Sequence, residues 1–92
     1  LKVSETAVDL ALLAAIYSSY KKLTFAKETL FFGEIGLCGE IRPVQHAVQR
    51  VHAAKKHGIE KIYLPYNNRT GLNNDSACVF VRNVTEFLEM IG

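Results

Sequence analysis

"GEIGLCGEIRPV", Gly33 to Val44, writes Gly-Glu-Ile twice, at Gly33-Glu34-Ile35 and again six residues later at Gly39-Glu40-Ile41. Frequent glycine and the lack of a 3.6-residue apolar period argue against a helix, and the β-formers just upstream, Thr29-Leu30-Phe31-Phe32, favour extended chain. A three-residue reversal at Leu37-Cys38-Gly39, with Gly39 supplying a positive φ, folds the copies onto each other as a hairpin. That register sets Ile35 opposite Ile41 and Glu34 opposite Arg42, an apolar pair on one face and an ion pair on the other. A slip of one residue would lose both. Pro43 cannot donate to a ladder, so the second strand is expected to sit at an edge or end there.

Upstream of the hairpin, Ser4 or Thr6 can cap a helix in capping-box fashion with Asp9, and an almost wholly apolar stretch runs to Tyr17. Such a helix is expected to be buried nearly all round, with Ala7, Ala11, Ala14 and Ala15 allowing close approach, and Ser18 to Lys22 ending it. Downstream, "VQHAVQRVHAAKKHG" reads as an amphipathic helix with Ala47, Val48, Val51 and Ala54 inward and Gln45, Gln49, Arg50, His52, Lys55 and Lys56 outward, stopped at Gly58. "KIYLP" follows as a strand, completing with the hairpin's second arm a strand-helix-strand unit of expected right-handed crossover. A polar loop, Tyr66 to Ser76, leads to the strand "ACVFV". Asn83 then caps a last helix with apolar face Val84, Phe87, Leu88 and Ile91. The expected order is α-β-β-α-β-β-α, an α+β architecture.

Ninety-two residues, 49% hydrophobic and 22% charged, make one small folded domain spanning 1–92 and exclude disordered and fibrous classes. The longest apolar run, broken by Asp9, is shorter than the ~18–20 residues of a membrane span, so no membrane partner is expected. No basic n-region with a cleavage site precedes it, and Cys38 and Cys78 are too few for a disulfide scaffold and lack CxxC spacing, which fits a reducing cytoplasm. The sequons at Asn68, Asn74 and Asn83 carry no weight without secretion. His46, His52 and His57 differ by six and five positions and point to different helix faces, so no metal site is expected.

Four blocks in order, "ETAVDLALLAAIYSS", "FFGEIGLCGEIRPV", "QRVHAAKKHGI" and "YLPYNN", resemble the C-terminal Lon-protease-like domain of the RadA (Sms) family of bacterial DNA repair proteins. The proteolytic domain of Lon and the Lon-like domain of magnesium-chelatase-type ATPases share the "GEI.L.G..RPV" pattern but match Asp9-Leu10-Ala11 and Gln49-Arg50 less well. The resemblance implies a Lon-protease-like, ribosomal-protein-like fold of which this chain is the C-terminal portion. The zinc finger and the RecA-like ATPase of that family are not in these residues, which contain no GxxxxGK[ST] and no paired CxxC. It follows that no cofactor is expected in this segment, and that ATP, Mg and zinc belong to parts N-terminal to it.

Lon-type proteases activate a serine with a lysine, because an unassisted hydroxyl is a poor nucleophile and a desolvated amine can take its proton. By resemblance the serine position falls on Ala7 and the lysine position on Val48, so this segment is expected not to be an enzyme. The rival is a Lon-type protease homologue with an unsuspected nucleophile. Arg42, Arg50, Lys55 and Lys56 are candidates for one basic rim, which a hexameric ring of subunits would multiply into a channel for DNA phosphates through salt-sensitive contacts. A solvated helix face explains the same charges, and the net charge of +2 does not decide between the two.

Overall fold

The computed structural model describes residues 6–26 and 28–92. The first helix, α1, covers Asp9–Lys21 and follows a 3-10 turn at Thr6–Val8. The expected side-chain cap is not Thr6, since Val8 holds the N-cap position without a side-chain hydrogen bond. Ser4 lies outside the described residues. Asp9 acts over a longer range than a cap does. Its Oδ2 accepts from the backbone N–H of Ile35 at 3.1 Å, tying the helix to the hairpin. Lys22 closes the helix in the left-handed region, φ 57°, and the N–H of Leu23 returns to the Ser18 carbonyl.

Burial of α1 is one-sided, contrary to the expectation from composition. Leu10 and Ala14 are buried, whereas Leu12, Ile16 and Tyr20, one helical turn apart, are 58%, 70% and 81% exposed. An apolar sequence on every side of a helix marks what could be buried; the elements packed here cover a single stripe.

The segment read as one strand divides in two around Gly33. Thr29–Phe31 (β1) joins a parallel sheet, and Glu34–Ile35 (β2) starts the hairpin, so the order becomes α-β-β-β-α-β-β-α. The cause is α1: the N–H of Gly33 donates to the Ala7 carbonyl at 2.8 Å, and the Gly33 carbonyl accepts from the N–H of Leu10 at 3.0 Å. These bonds take the chain out of one sheet and into the other. The hairpin partner is Ile41–Arg42 (β3), in the expected register, Glu34 with Arg42 and Ile35 with Ile41. Its turn is also as read: Gly36 and Gly39 close it by backbone hydrogen bonds, and Gly39 has φ 81°. Strand β3 stops before Pro43, but its other edge is occupied. Ile41 donates to the Arg82 carbonyl at 3.1 Å, and Glu40 bridges to Asn83.

Helix α2, Ala47–Lys56, buries Ala47, Val51 and Ala54 and half-buries Val48, as its spacing predicts. Strand β4, Lys61–Pro65, is the middle of the three-stranded sheet, with β1 on one side and β5, Cys78–Val81, on the other, all parallel. The strand-helix-strand unit is therefore not the expected one. The hairpin arm β3 lies in the two-stranded sheet, and the parallel neighbour that α2 leads back to is β1, so the crossover contains the hairpin as well as the helix. From β4 to β5 the connection is a loop opened by a 3-10 turn, Tyr66–Asn68, and pinned by buried Leu72.

Side chains on β4 alternate between two apolar clusters, as a sheet covered on both faces requires. Ile62 and Leu64 join Ala7, Val44, Leu72 and the inner face of α2, while Tyr63 joins Leu10, Ala14, Ile41, Val81 and Phe87. In the second cluster Phe87 meets Phe31 and Tyr63 edge-on, centroids 5.8 and 5.6 Å away. Phe87 belongs to α3, Val84–Ile91, whose N-cap is the predicted Asn83: its Oδ1 accepts from the N–H of Glu86 at 2.8 Å.

Candidate functional site

The start of α1, the hairpin and the entry to α2 enclose a cleft of about 470 Å³ lined by Thr6, Ala7, Glu34, Val44, His46 and Arg50 among others. Ala7 is 3% exposed and shares an apolar cluster with half-buried Val48. Both positions thus carry hydrocarbon in one apolar cluster. No serine, cysteine or lysine lines this cleft among the described residues. His46, at its rim, has φ 60°, an uncommon conformation for a residue with a Cβ.

Glu34 and Arg42 face each other across the hairpin, but the expected ion pair between them is not the one formed. Arg42 turns instead to Glu40 on its own strand, with Nη2 3.1 Å and Nε 3.2 Å from Oε2. Residues two apart share a strand face, and Glu40 is already oriented by accepting from the N–H of Cys38 at 3.0 Å. Hydrogen bonds from its own backbone amide first, and then from Arg42, hold the Glu40 carboxyl below the usual carboxylate range.

The other basic candidates are distributed rather than gathered. Arg50 donates from Nε to the Gln45 carbonyl at 2.8 Å, and its guanidinium lies 5.5 Å from the Phe32 ring centroid. Lys55 pairs with Asp75 at 2.9 Å beside the loop Asn73–Ser76. That lysine is the main cause of the lowered Asp75 pKa, with the N–H of Ala77 adding to it. Lys56 is exposed on the same last turn. His46, His52 and His57 are all exposed, and no three His, Cys, Asp or Glu converge on a metal-sized site among the described residues.

A different basic group is assembled by the sheet. Strands β4 and β5 pair in register through Pro65 and Val81, so the next residues, Tyr66 and Arg82, leave the sheet side by side at its carboxyl edge. The Arg82 guanidinium carbon lies 4.1 Å from the Tyr66 ring centroid, and that of Arg69 lies 3.9 Å from it. Both guanidinium groups therefore lie against the one ring. Contact with Tyr66, ahead of Glu86, raises the Arg82 pKa further above its already high value. Arg69 Nη1 also donates to the Tyr66 carbonyl at 3.1 Å, and Arg82 Nη1 reaches Glu86 Oε2 at 3.3 Å. Reading the sequence for charge runs does not find this group, because its members stand three and sixteen residues apart in the chain.

Helices on both faces of a short parallel sheet and a hairpin beside it define a small α+β domain. A family described as subunit ChlI of Mg-chelatase matches residues 1–68, and the chain belongs to that family. Its curated relatives carry the name DNA repair protein RadA, which bears out the resemblance read from the four blocks. The relative from Haemophilus influenzae is 40% identical over 91 residues, covering 98% of this chain and 20% of its own length. That from Streptococcus pneumoniae is 40% identical over 92 residues, covering 98% and 22%, and that from Pseudomonas aeruginosa 46% over 67 residues, covering 73% and 15%. The chain therefore spans about a fifth of the length of the curated relatives it matches.

Proposed function

We propose that this chain is the non-catalytic, Lon-protease-like C-terminal portion of a RadA-type DNA repair protein, serving ring assembly and the placement of DNA. ATP hydrolysis, with its Mg, and zinc binding belong on this reading to other parts of the longer protein, in the cytoplasm. The observation that carries the non-catalytic half is the packing of Ala7 against the cluster that holds Val48, which leaves no hydroxyl and amine to meet there. Kinship with proteins named for DNA repair supports the other half.

Two measurements test it. Incubation with casein should give no cleavage; proteolysis that survives purification and disappears with a point change inside this segment would establish the Lon-type rival. DNA affinity measured across a salt series should fall steeply with ionic strength, as phosphate contacts demand. A flat or absent response would reduce the chain to an interaction module with no DNA role.

A further inference from the structure

The Tyr66 ring and its two arginines form an arrangement that solvation alone does not require. Exposed arginines are long and flexible, and holding one against a ring costs side-chain entropy. Here a half-buried ring orders two arginines at once, exposed Arg82 and half-buried Arg69, with their guanidinium carbons at most about 8 Å apart. Two positive charges held that close suit a strand that carries a phosphate about every 3.4 Å along its axis. The group also stands at the carboxyl ends of parallel strands β4 and β5, the edge where open parallel sheets present loops to ligands. Two carboxylates lie nearby in sequence or contact: Glu86 on Arg82, and Glu40 on Arg42 of the neighbouring strand β3. The Arg42–Glu40 pair is exposed on both sides and Arg82 is exposed beside half-buried Glu86, so these pairs orient the guanidinium groups while leaving them open to a competing phosphate.

We infer that Arg69, Tyr66 and Arg82 form a seat for the sugar-phosphate backbone of a single nucleic-acid strand, one phosphate to each guanidinium, with Tyr66 as the spacer. This deepens the DNA-placement reading above and rests on it. Because both arginines pack on the ring, the ring fixes the charges, and an incoming base stacks on a guanidinium plane. The seat therefore distinguishes strands by flexibility and charge rather than by base sequence.

The test uses the 92-residue chain and a fluorescein-labelled 20-nucleotide oligothymidylate, followed by anisotropy between 25 and 300 mM salt. In Arg69→Gln/Arg82→Gln affinity at low salt should fall at least tenfold, and the slope of log affinity against log salt should shrink by about 1.4, the loss of two single-strand phosphate contacts. Arg69→Lys/Arg82→Lys, which keeps the charges but loses the planar stacks, should retain the slope and lose about threefold to tenfold in affinity. Tyr66→Leu should behave like the lysine variant. Tripolyphosphate should compete at a concentration well above that of the oligonucleotide; equal potency would make the site one for free polyphosphate and overturn the proposal. If the wild-type chain binds with a salt-dependent slope and the glutamine variant matches it, this seat is wrong while the DNA reading stands. If the wild-type chain does not bind, both fall.

Discussion

Replacing Gly33 with alanine separates what the two halves of the repeated Gly-Glu-Ile do. Gly33 needs no positive φ, so backbone strain is not at issue; space is. A Cβ there would stand 3.0 Å from Ile41 Cγ2 and 3.3 Å from Leu10 Cβ. Neither neighbour can withdraw easily. Leu10 is fully buried in α1, Ile41 is paired to Ile35 and hydrogen-bonded to Arg82, and the backbone of Gly33 is held at both its N–H and its carbonyl. Overpacking of this kind costs about 1–3 kcal/mol. For a domain of this size that corresponds to a fall in Tm of roughly 5–20 °C. Gly39→Ala is the control, since nothing lies within 4 Å of its Cβ and only φ 81° opposes it. Its cost should be about 1 kcal/mol from the left-handed conformation, and Gly39→Asn should recover most of that. Urea denaturation followed by far-UV circular dichroism reads both. If Gly33→Ala proves neutral, or if Gly39→Asn is no better than Gly39→Ala, the division of labour between the two copies is refuted.

Three further outcomes follow from packing and charge. Phe87→Ala removes a fully buried ring from its edge-on contacts with Phe31 and Tyr63 and should destabilise the chain by about 3–5 kcal/mol; a loss below about 1 kcal/mol in the same urea assay would contradict the core described. Because the Asp75 carboxyl titrates below its ordinary 3.8 in the folded chain, its pairing with Lys55 stabilises at pH above that ordinary value and is lost as pH falls through the lower folded value. Wild type should therefore be more stable than Asp75→Asn at pH 6 to 7, and the gap should close in thermal melts as pH falls below the ordinary carboxylate value; a gap independent of pH would exclude the charge as its cause. With a disulfide reagent at pH 8, Cys38 at the exposed hairpin turn should react quickly, and half-buried Cys78 slowly. Burial first, then the Asp75 charge, raises the Cys78 pKa, so equal rates in Cys38→Ser and Cys78→Ser chains would count against this burial.

Features set by neighbours a few residues apart were legible. The hairpin register, the turn at Gly39, the inward face of α2 and the Asn83 cap depend on alternation, on one permissive residue, on 3.6-residue spacing and on a short side chain reaching its own helix. Each is a local rule, and each held. What failed depended on partners distant in the chain. The division of "TLFFGEIGL" comes from hydrogen bonds between Gly33 and the start of α1, more than twenty residues earlier. Asp9 has the spacing of a capping residue, yet it serves Ile35 across a gap of 26 residues. The apolar ring of residues on α1 shows which side chains tolerate burial, and only packing decides that Leu10 and Ala14 receive it while Ile16 does not.

The basic residues illustrate the same limit more sharply, because charges dense in sequence need not meet in space. Lys55 and Lys56 are adjacent in the chain, but a helix turns successive side chains about 100° apart, and Lys55 is drawn to Asp75 on the loop beside it. Tyr66, Arg69 and Arg82 show no density, and no helical or strand period links all three. What joins them is a parallel register: Leu64 beside Phe80 and Pro65 beside Val81 force position 66 beside position 82, and the 3-10 turn then brings Arg69 back over the ring. Shifting that register by one residue would also reverse which side chains of β4 and β5 face each apolar cluster, so that Ile62 and Leu64 no longer met α2 from the same side as Cys78 and Phe80, nor Val81 met Phe87 from the same side as Tyr63. The burial of those side chains is thus the same constraint that sets the two guanidinium groups on one ring. The cluster can be found only by following the core to the edge of the sheet.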